Sequence, residues 1–210
     1  EPRMSSALLE HLHWIIFLPL AWATWKFYSE FFKPSQRLGI ELKQATEQLE
    51  MLKNSGNVLD LDGLNKQVMV NSALSHGWSE YRDTLHGQKS VNSMGMMEVS
   101  RWRATAMANM FFTEQTVVDV PLKTEFYKHL PGILTGLGII GTFTGLILGL
   151  QGFQVSTNAA VAQQSLQSLL GSVGGAFIVS GTAIALAMIA TWLEKSILNK
   201  RYGELENFCA

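Results

Sequence analysis

Between Lys128 and Glu194 the chain has no Asp, Glu, Lys or Arg, a run of 65 positions. A helix crosses the hydrocarbon of a bilayer with about 20 mostly apolar residues, so the run holds two crossings and a tight external turn. A soluble core has no need to exclude charge for so long, because its helices keep a wet face. Average composition hides this segregation: 47% of the 210 residues are hydrophobic and the formal net charge is −1. A balance so near neutral gives no argument for a nucleic-acid partner. Cysteine is almost absent, and Cys209 alone excludes an internal disulfide framework. Its place just after a charged stretch fits a thiol kept reduced on the cytoplasmic side. Walker loops, nucleophile elbows and paired catalytic carboxylates are missing too. The segment is therefore expected to be no enzyme and to hold neither cofactor nor metal.

The first apolar segment is shorter. His11 to Trp25 carries no charged residue, and Lys26 and Glu30 follow four apart on one helix face. This places a first span over Leu12–Phe32, with Trp14, Trp22, Trp25 and Tyr28 at the interfaces, where amphipathic rings collect. Lys26 can snorkel to the boundary or pair with Glu30. A signal peptide fits less well: the preceding tail holds one Arg against two Glu, and no small-residue cleavage site follows.

Residues 33–128 are polar and mixed, and read as a helical cytoplasmic region. Leu38, Leu42, Ala45, Leu49 and Leu52 recur at helical spacing over Arg37–Lys53, and Asn54-Ser55-Gly56-Asn57 ends that helix. A second helix is expected over Leu64–Leu85 with a break near His76-Gly77. Gly87–Gly95 reads as a break and Met96–Val118 as helix, with Pro121 dividing it from the next span. The second span runs Pro131–Phe153, the third about Leu166–Leu193, with Gln154–Ser165 as an uncharged link. At 1.5 Å per residue the third helix exceeds ~40 Å and should project beyond a bilayer. The expected fold is thus an all-α integral membrane protein. Its divisions are 1–32 (tail and first span), 33–128 (cytoplasmic helices), 129–194 (second and third spans) and 195–210 (the start of a cytoplasmic helical tail). The chain opens at Glu1 and stops at Ala210 without a terminating signal, as expected of a segment of a longer protein.

Orientation follows from Lys and Arg beside the spans. Lys33, Arg37 and Lys43 follow the first, Lys123 and Lys128 precede the second, and Lys195, Lys200 and Arg201 follow the third. The link between the last two spans has none and the N-terminal tail only Arg3. The N-terminus and the link are expected outside, residues 33–128 and the C-terminus inside.

Small residues line one stripe of each later span. On the second these are Thr135, Gly138, Thr142, Gly145, Gly149 and Gly152; on the third, Ser172, Ala176, Ser180, Ala183, Ala187 and Ala190. Ile139, Phe143, Ile147, Leu148, Phe177, Ile178, Leu186 and Met188 take the other faces. One reading is close helix packing, for which membrane helices use small residues. The other is a pore wall that surrounds a narrow guest helix, with Thr142, Ser180, Thr135 and Thr182 as hydrogen-bonding stations along an ion path and Gly138, Gly145, Gly149, Ala176, Ala183 and Ala187 lining it. Intramembrane ionisable groups commonly mark proton relays, and these two spans have none. A proton-carrying group would have to come from another chain. Lesser candidates have plainer readings. Asp60-Leu61-Asp62-Gly63 lacks the other ligands of a calcium loop and reads as a turn; His76 and His86 read as loop histidines, and His11 and His13 sit at the outer boundary.

The string Leu130-Pro131-Gly132-Ile133-Leu134-Thr135-Gly136-Leu137-Gly138-Ile139-Ile140-Gly141-Thr142-Phe143-Thr144-Gly145-Leu146 resembles the second-span signature of the MotA/TolQ/ExbB proton-channel family. Residues 175–187 resemble its last helix, and three spans with the N-terminus outside match the TolQ/ExbB arrangement. The segments Trp78–Leu85 and Ala190–Lys195 resemble the branch that serves antiphage defence. The resemblance implies an inner-membrane homo-pentamer around a dimer of a single-span partner, which carries a membrane Asp and a peptidoglycan-binding domain. Proton flow would drive rotation of the pentamer, as in a stator. The family's polar pore residues map onto Thr142 and Ser180. A family Glu five residues before that hydroxyl is replaced by Gly175, so its role does not transfer, and a nearby Pro is replaced by Ile189. A TolQ/ExbB-like transducer for outer-membrane processes and a non-conducting membrane scaffold are the alternatives. Cysteines placed at Ser156 and Ser90 are expected to label from opposite sides of the membrane, Ser156 from outside; labelling from one side removes the three-span topology.

Overall fold

The computed structural model describes residues 6–54, 61–69, 71–91, 95–153, 155 and 157–210, with residues 6–16, 62, 67 and 98 described as backbone. In chain order the elements are α1 (Ser6–Phe27), a π-helical turn (Tyr28–Phe32), α2 (Lys33–Asn54), α3 (Leu61–Gln67), α4 (Ser72–Arg82), β1 (Leu85–Val91) and β2 (Met97–Ala104). A 3-10 turn (Ala108–Met110), a second π-helical turn (Gln115–Asp119), α5 (Val120–Leu122), α6 (Thr124–Tyr127), α7 (Leu130–Gln151) and α8 (Ala159–Cys209) complete the chain. Two compact units result, one of Glu1–Glu30 with Glu125–Lys195 and one of Phe31–Thr124 with Ser196–Ala210.

In the first, apolar unit α1 packs against α7. Leu20, Ala23 and Phe27 recur at helical spacing and are buried, whereas Leu18, Trp22 and Trp25 face outward. The end of α1 is tied to the approach to α7. The Tyr127 hydroxyl donates to Glu30 Oε2 at 3.2 Å and the Phe27 ring meets Tyr127 edge-on at 5.7 Å. Lys26 Nζ lies 3.8 Å from Glu30 and 5.0 Å above the Trp22 ring, so pairing is the alternative that holds. Two helical stretches are long and apolar enough to cross a membrane, Thr124–Gln151 and Ala159–Cys209. α1 matches α7 in length, at 22 residues each.

α8 starts ahead of the expected third span. Its 51 residues span about 77 Å. The expected link through Ser165 is mostly helix: Asn158 Oδ1 accepts from Ala160 N at 3.0 Å and starts α8 at Ala159. Gln154 and Ser156 of that link lie outside the described residues.

The second, polar unit is built on α2, whose Leu38, Leu42 and Ala45 are buried at the expected period. The last turns of α8 complete its core. Ile197, Leu198, Leu205 and Phe208 are buried, and Phe208 meets Phe112 edge-on at 5.2 Å. Asp119 accepts from the Tyr202 hydroxyl at 2.7 Å and from Thr124 Oγ1 at 3.1 Å. Cys209 is half-buried, and burial pushes its thiol above the ordinary value, which keeps it protonated at neutral pH.

Here the all-α expectation fails. Residues 85–104 form an antiparallel hairpin where a break and a helix were expected. The pairing slips between Gln88 and Lys89, leaving Ser100 as the extra residue opposite them. That bulge shifts the alternation by one, so Met97, Val99, Trp102 and Ala104 share a face at steps of 2, 3 and 2, and no strict alternation marks the strand. The helix expected over Leu64–Leu85 breaks before Asn71, not at Gly77. Asn71 Oδ1 accepts from Ala73 N at 2.9 Å and caps α4. Gly77 lies inside α4 because Phe112 presses on it: a Cβ there would sit 2.9 Å from the ring. The chain reverses at Lys123, in the left-handed conformation at φ 51°, rather than at Pro121. His76 is on α4, 3.6 Å from Glu80, and His86 is in β1, so neither is a loop residue. Leu61, Asp62 and Gly63 open α3 instead of a turn, and Asp60 lies outside the described residues, as do the side chains of His11 and His13.

Arg201 is nearly enclosed, paired with Glu204 and laid over Gly39 of α2. Any side chain at 39 would occupy the guanidinium's place. Gly39→Leu is expected to expel Arg201 and destabilise the polar unit by about 1–3 kcal/mol, read as a lower melting temperature and faster proteolysis near residue 200.

Candidate functional site

α7 and α8 run antiparallel and meet through their small residues. A Cβ on Gly138 would lie 2.8 Å from that of Ala183, one on Gly145 2.5 Å from that of Ala176, and one on Gly149 3.0 Å from that of Ser172. Ala176, Ala183 and Ala187 are all buried. The six small residues singled out in sequence therefore gather along one seam, where glycine lets two backbones approach without a side chain between them. Val179, 2% exposed, is a large residue in the seam that the stripe of small residues did not include. Ser172, the first residue of the third-span stripe, lies opposite Gly149.

The hydroxyls stand in and beside this seam. Thr142 Oγ1 donates to the Gly138 carbonyl at 3.0 Å, Thr135 to Pro131 at 2.9 Å, Ser180 to Phe177 at 3.1 Å and Thr182 to Val179 at 2.8 Å. Each proton is thus engaged by the residue's own helix, while the oxygen keeps accepting capacity. A register that sets Gly138 against Ala183 and Gly145 against Ala176 brings Thr142 level with Val179 and Ser180. Thr142, Ser180 and Thr135 are half-buried, whereas Thr182 faces out of the hairpin.

Outside the seam the surface is apolar. Phe143, Ile147, Phe177 and Ile178 are more than half exposed, a surface that lipid or other helices must cover. Gly132, Gly136, Gly174 and Gly181 meet nothing within 4 Å. With no ionisable side chain from Leu130 to Leu193, this hairpin can solvate a charge or accept a hydrogen bond but cannot itself take up a proton.

A hairpin of two apolar helices long enough to cross a membrane, closed by a charge-free seam, points to a helical membrane protein. The profile of the anti-phage protein ZorA of the Zorya type I system matches residues 11–210. The chain belongs to the ZorA-like family. It is 44% identical over 169 residues to the Zorya protein ZorA of Escherichia coli O139:H28 (strain E24377A), covering 80% of this chain and 23% of that protein. To the Zorya protein ZorA of the Escherichia coli Crooks strain it is 32% identical over 87 residues, 41% of this chain and 15% of that protein. It spans less than a quarter of the length of these curated relatives. The antiphage branch indicated by residues 78–85 and 190–195 is the one found.

The two kinds of glycine should behave differently. Gly145→Val is expected to wedge the seam apart at a cost of about 1–3 kcal/mol, seen as a lower melting temperature in detergent. Gly136→Ala should leave it unchanged or raise it; an equal loss at Gly136 would show that another chain covers that face.

Proposed function

We propose that this chain is the channel subunit of a proton-driven rotary membrane motor serving antiphage defence. It crosses the inner membrane three times, with α1 as the first span, the N-terminus and the α7–α8 turn outside, and the polar unit inside. Five copies surround two copies of a single-span, ZorB-like partner that holds peptidoglycan and supplies the membrane Asp. It catalyses no covalent reaction and holds no cofactor; the transported ion is H⁺. Membership of a family described as anti-phage supports the defence role.

The observation that carries the channel reading is a pair of hydroxyl groups level with each other in a hairpin without ionisable groups. A lone carboxylate in hydrocarbon is costly, so the partner's Asp must be neutral or hydrogen-bonded while enclosed. As they stand, Thr142 and Ser180 accept from a protonated acid, because their protons already point to Gly138 and Phe177 carbonyls. Rotation of either hydroxyl away from its carbonyl turns it into a donor for the ionised form. One short side chain so serves both protonation states without trapping a charge. Thr135 and Thr182 both lie on the cytoplasmic side of that level and extend the path inward.

The interlocked seam favours a second reading, a membrane scaffold whose small residues serve packing alone. The double substitution Thr142→Ala with Ser180→Ala separates the two, since it removes both hydroxyls with little change in volume. It is expected to leave an assembled complex that copurifies the partner but no longer protects cells from phage, whereas Thr191→Ala does much less. Full protection by the double variant at normal expression would refute the channel reading and leave the scaffold.

A further inference from the structure

A charged pair at the end of α1 has no part in the channel. Leu18, Trp22 and Trp25 form an outward stripe on this helix, each more than half exposed, and one turn beyond Trp22 stands Lys26. Its Nζ lies 5.0 Å from the centre of the Trp22 ring and 6.0 Å from that of Phe126, so two exposed rings flank one ammonium. Glu30 follows a turn later, its Oε1 at 3.8 Å from Lys26 Nζ. Glu30 Oε2 accepts from the Tyr127 hydroxyl at 3.2 Å, and buried Tyr127 is itself packed edge-on against Phe27 and Phe126. The carboxylate is thus held from inside, and both charged side chains remain about one-third exposed, at 32% and 35%.

The pair is loose. A charge-assisted N–H···O bond is about 2.7–2.9 Å long, and an ammonium has three donors against about four lone-pair sites on a carboxylate. A separation of 3.8 Å therefore leaves room for a third group. Charge decides which group fits. An anionic headgroup would satisfy Lys26 but set its phosphate against Glu30, and a simple cation would do the reverse. A zwitterion with a phosphate and a primary ammonium joined by two carbons answers both, because the phosphate accepts from Lys26 and the ammonium donates to Glu30. A quaternary ammonium has no N–H to donate. We infer that Lys26 and Glu30 bind the headgroup of phosphatidylethanolamine in the cytoplasmic leaflet, its acyl chains lying along the stripe of Leu18, Trp22 and Trp25. The stripe argues for the lipid over free phosphoethanolamine, since a row of large exposed apolar side chains needs cover. Bound there, the headgroup would brace the Glu30–Tyr127 contact that ties α1 to the approach to α7. The inference rests on α1 as the first span, as proposed above, and is independent of ion conduction.

The full-length protein, purified in detergent and stripped of lipid, tests it. Phosphatidylethanolamine and phosphatidylglycerol are titrated in turn and bound lipid is counted by native mass spectrometry. The ethanolamine lipid is expected to bind about tenfold more tightly, a difference of about 1.4 kcal/mol. Glu30→Gln keeps an acceptor for the Tyr127 hydroxyl and should bring the two lipids to equal affinity, while Lys26→Met should weaken the ethanolamine lipid about tenfold. Equal affinities in the native chain, or an unchanged preference in Glu30→Gln, overturn the inference. Displacement of the lipid by free phosphoethanolamine at equal concentration also overturns it and makes the occupant a soluble zwitterion. A second readout separates this from the topology: quenching of tryptophan by brominated acyl chains, taken as the part that Trp22→Phe removes. Trp22 quenched without any lipid preference overturns the site and leaves the first span standing. Trp22 unquenched overturns both.

Discussion

Hydrocarbon offers no water to satisfy a polar group, and the rest of this chain follows from obeying that constraint between residues 129 and 193. Past their first turns the backbone amides of α7 and α8 are answered within each helix, and each of the four marked hydroxyls donates to a carbonyl three or four residues back. With neither hydrophobic drive nor ion pairs to hold two such helices together, close contact remains. Gly138, Gly145 and Gly149 supply it by letting Ala183, Ala176 and Ser172 approach to the limit of side-chain packing.

The same economy shapes the chemistry. A seam this tight has no room for a carboxylate, and in the channel reading proposed above the titrating group comes from a partner, so that packing and conduction do not compete for the same atoms. Glycine and alanine close the seam, while the Thr142 and Ser180 oxygens keep accepting capacity beside it.

Charge returns where the apolar run stops, and there it is used structurally. Lys26, Glu30 and Tyr127 tie the end of α1 to the approach to α7. Beyond Lys195, α8 changes role along its length. Leu198, Leu205 and Phe208 enter the polar core, and Arg201 fits only because residue 39 is glycine. One uninterrupted helix therefore serves the apolar seam with one part and a soluble-type core with the next.

Composition and period determined the membrane-length helices, the stripes of small residues and the apolar face of α2, because each rests on a run or a repeat counted along the chain. Family strings determined the antiphage branch. Tertiary structure decided what no repeat records. The stripes of α7 and α8 face each other because both are small at matching levels, a relation between two segments that neither segment states. Met97 to Ala104 became a strand because Leu85–Val91 was available to pair with it, and the bulge at Ser100 broke the alternation that would have marked it. Gly77 and Gly39 looked like helix breakers or neutral positions, yet each is the space that a distant side chain, Phe112 or Arg201, required. Local sequence sets which conformations are cheap; which of them survives is settled by the atoms brought against it from elsewhere in the chain.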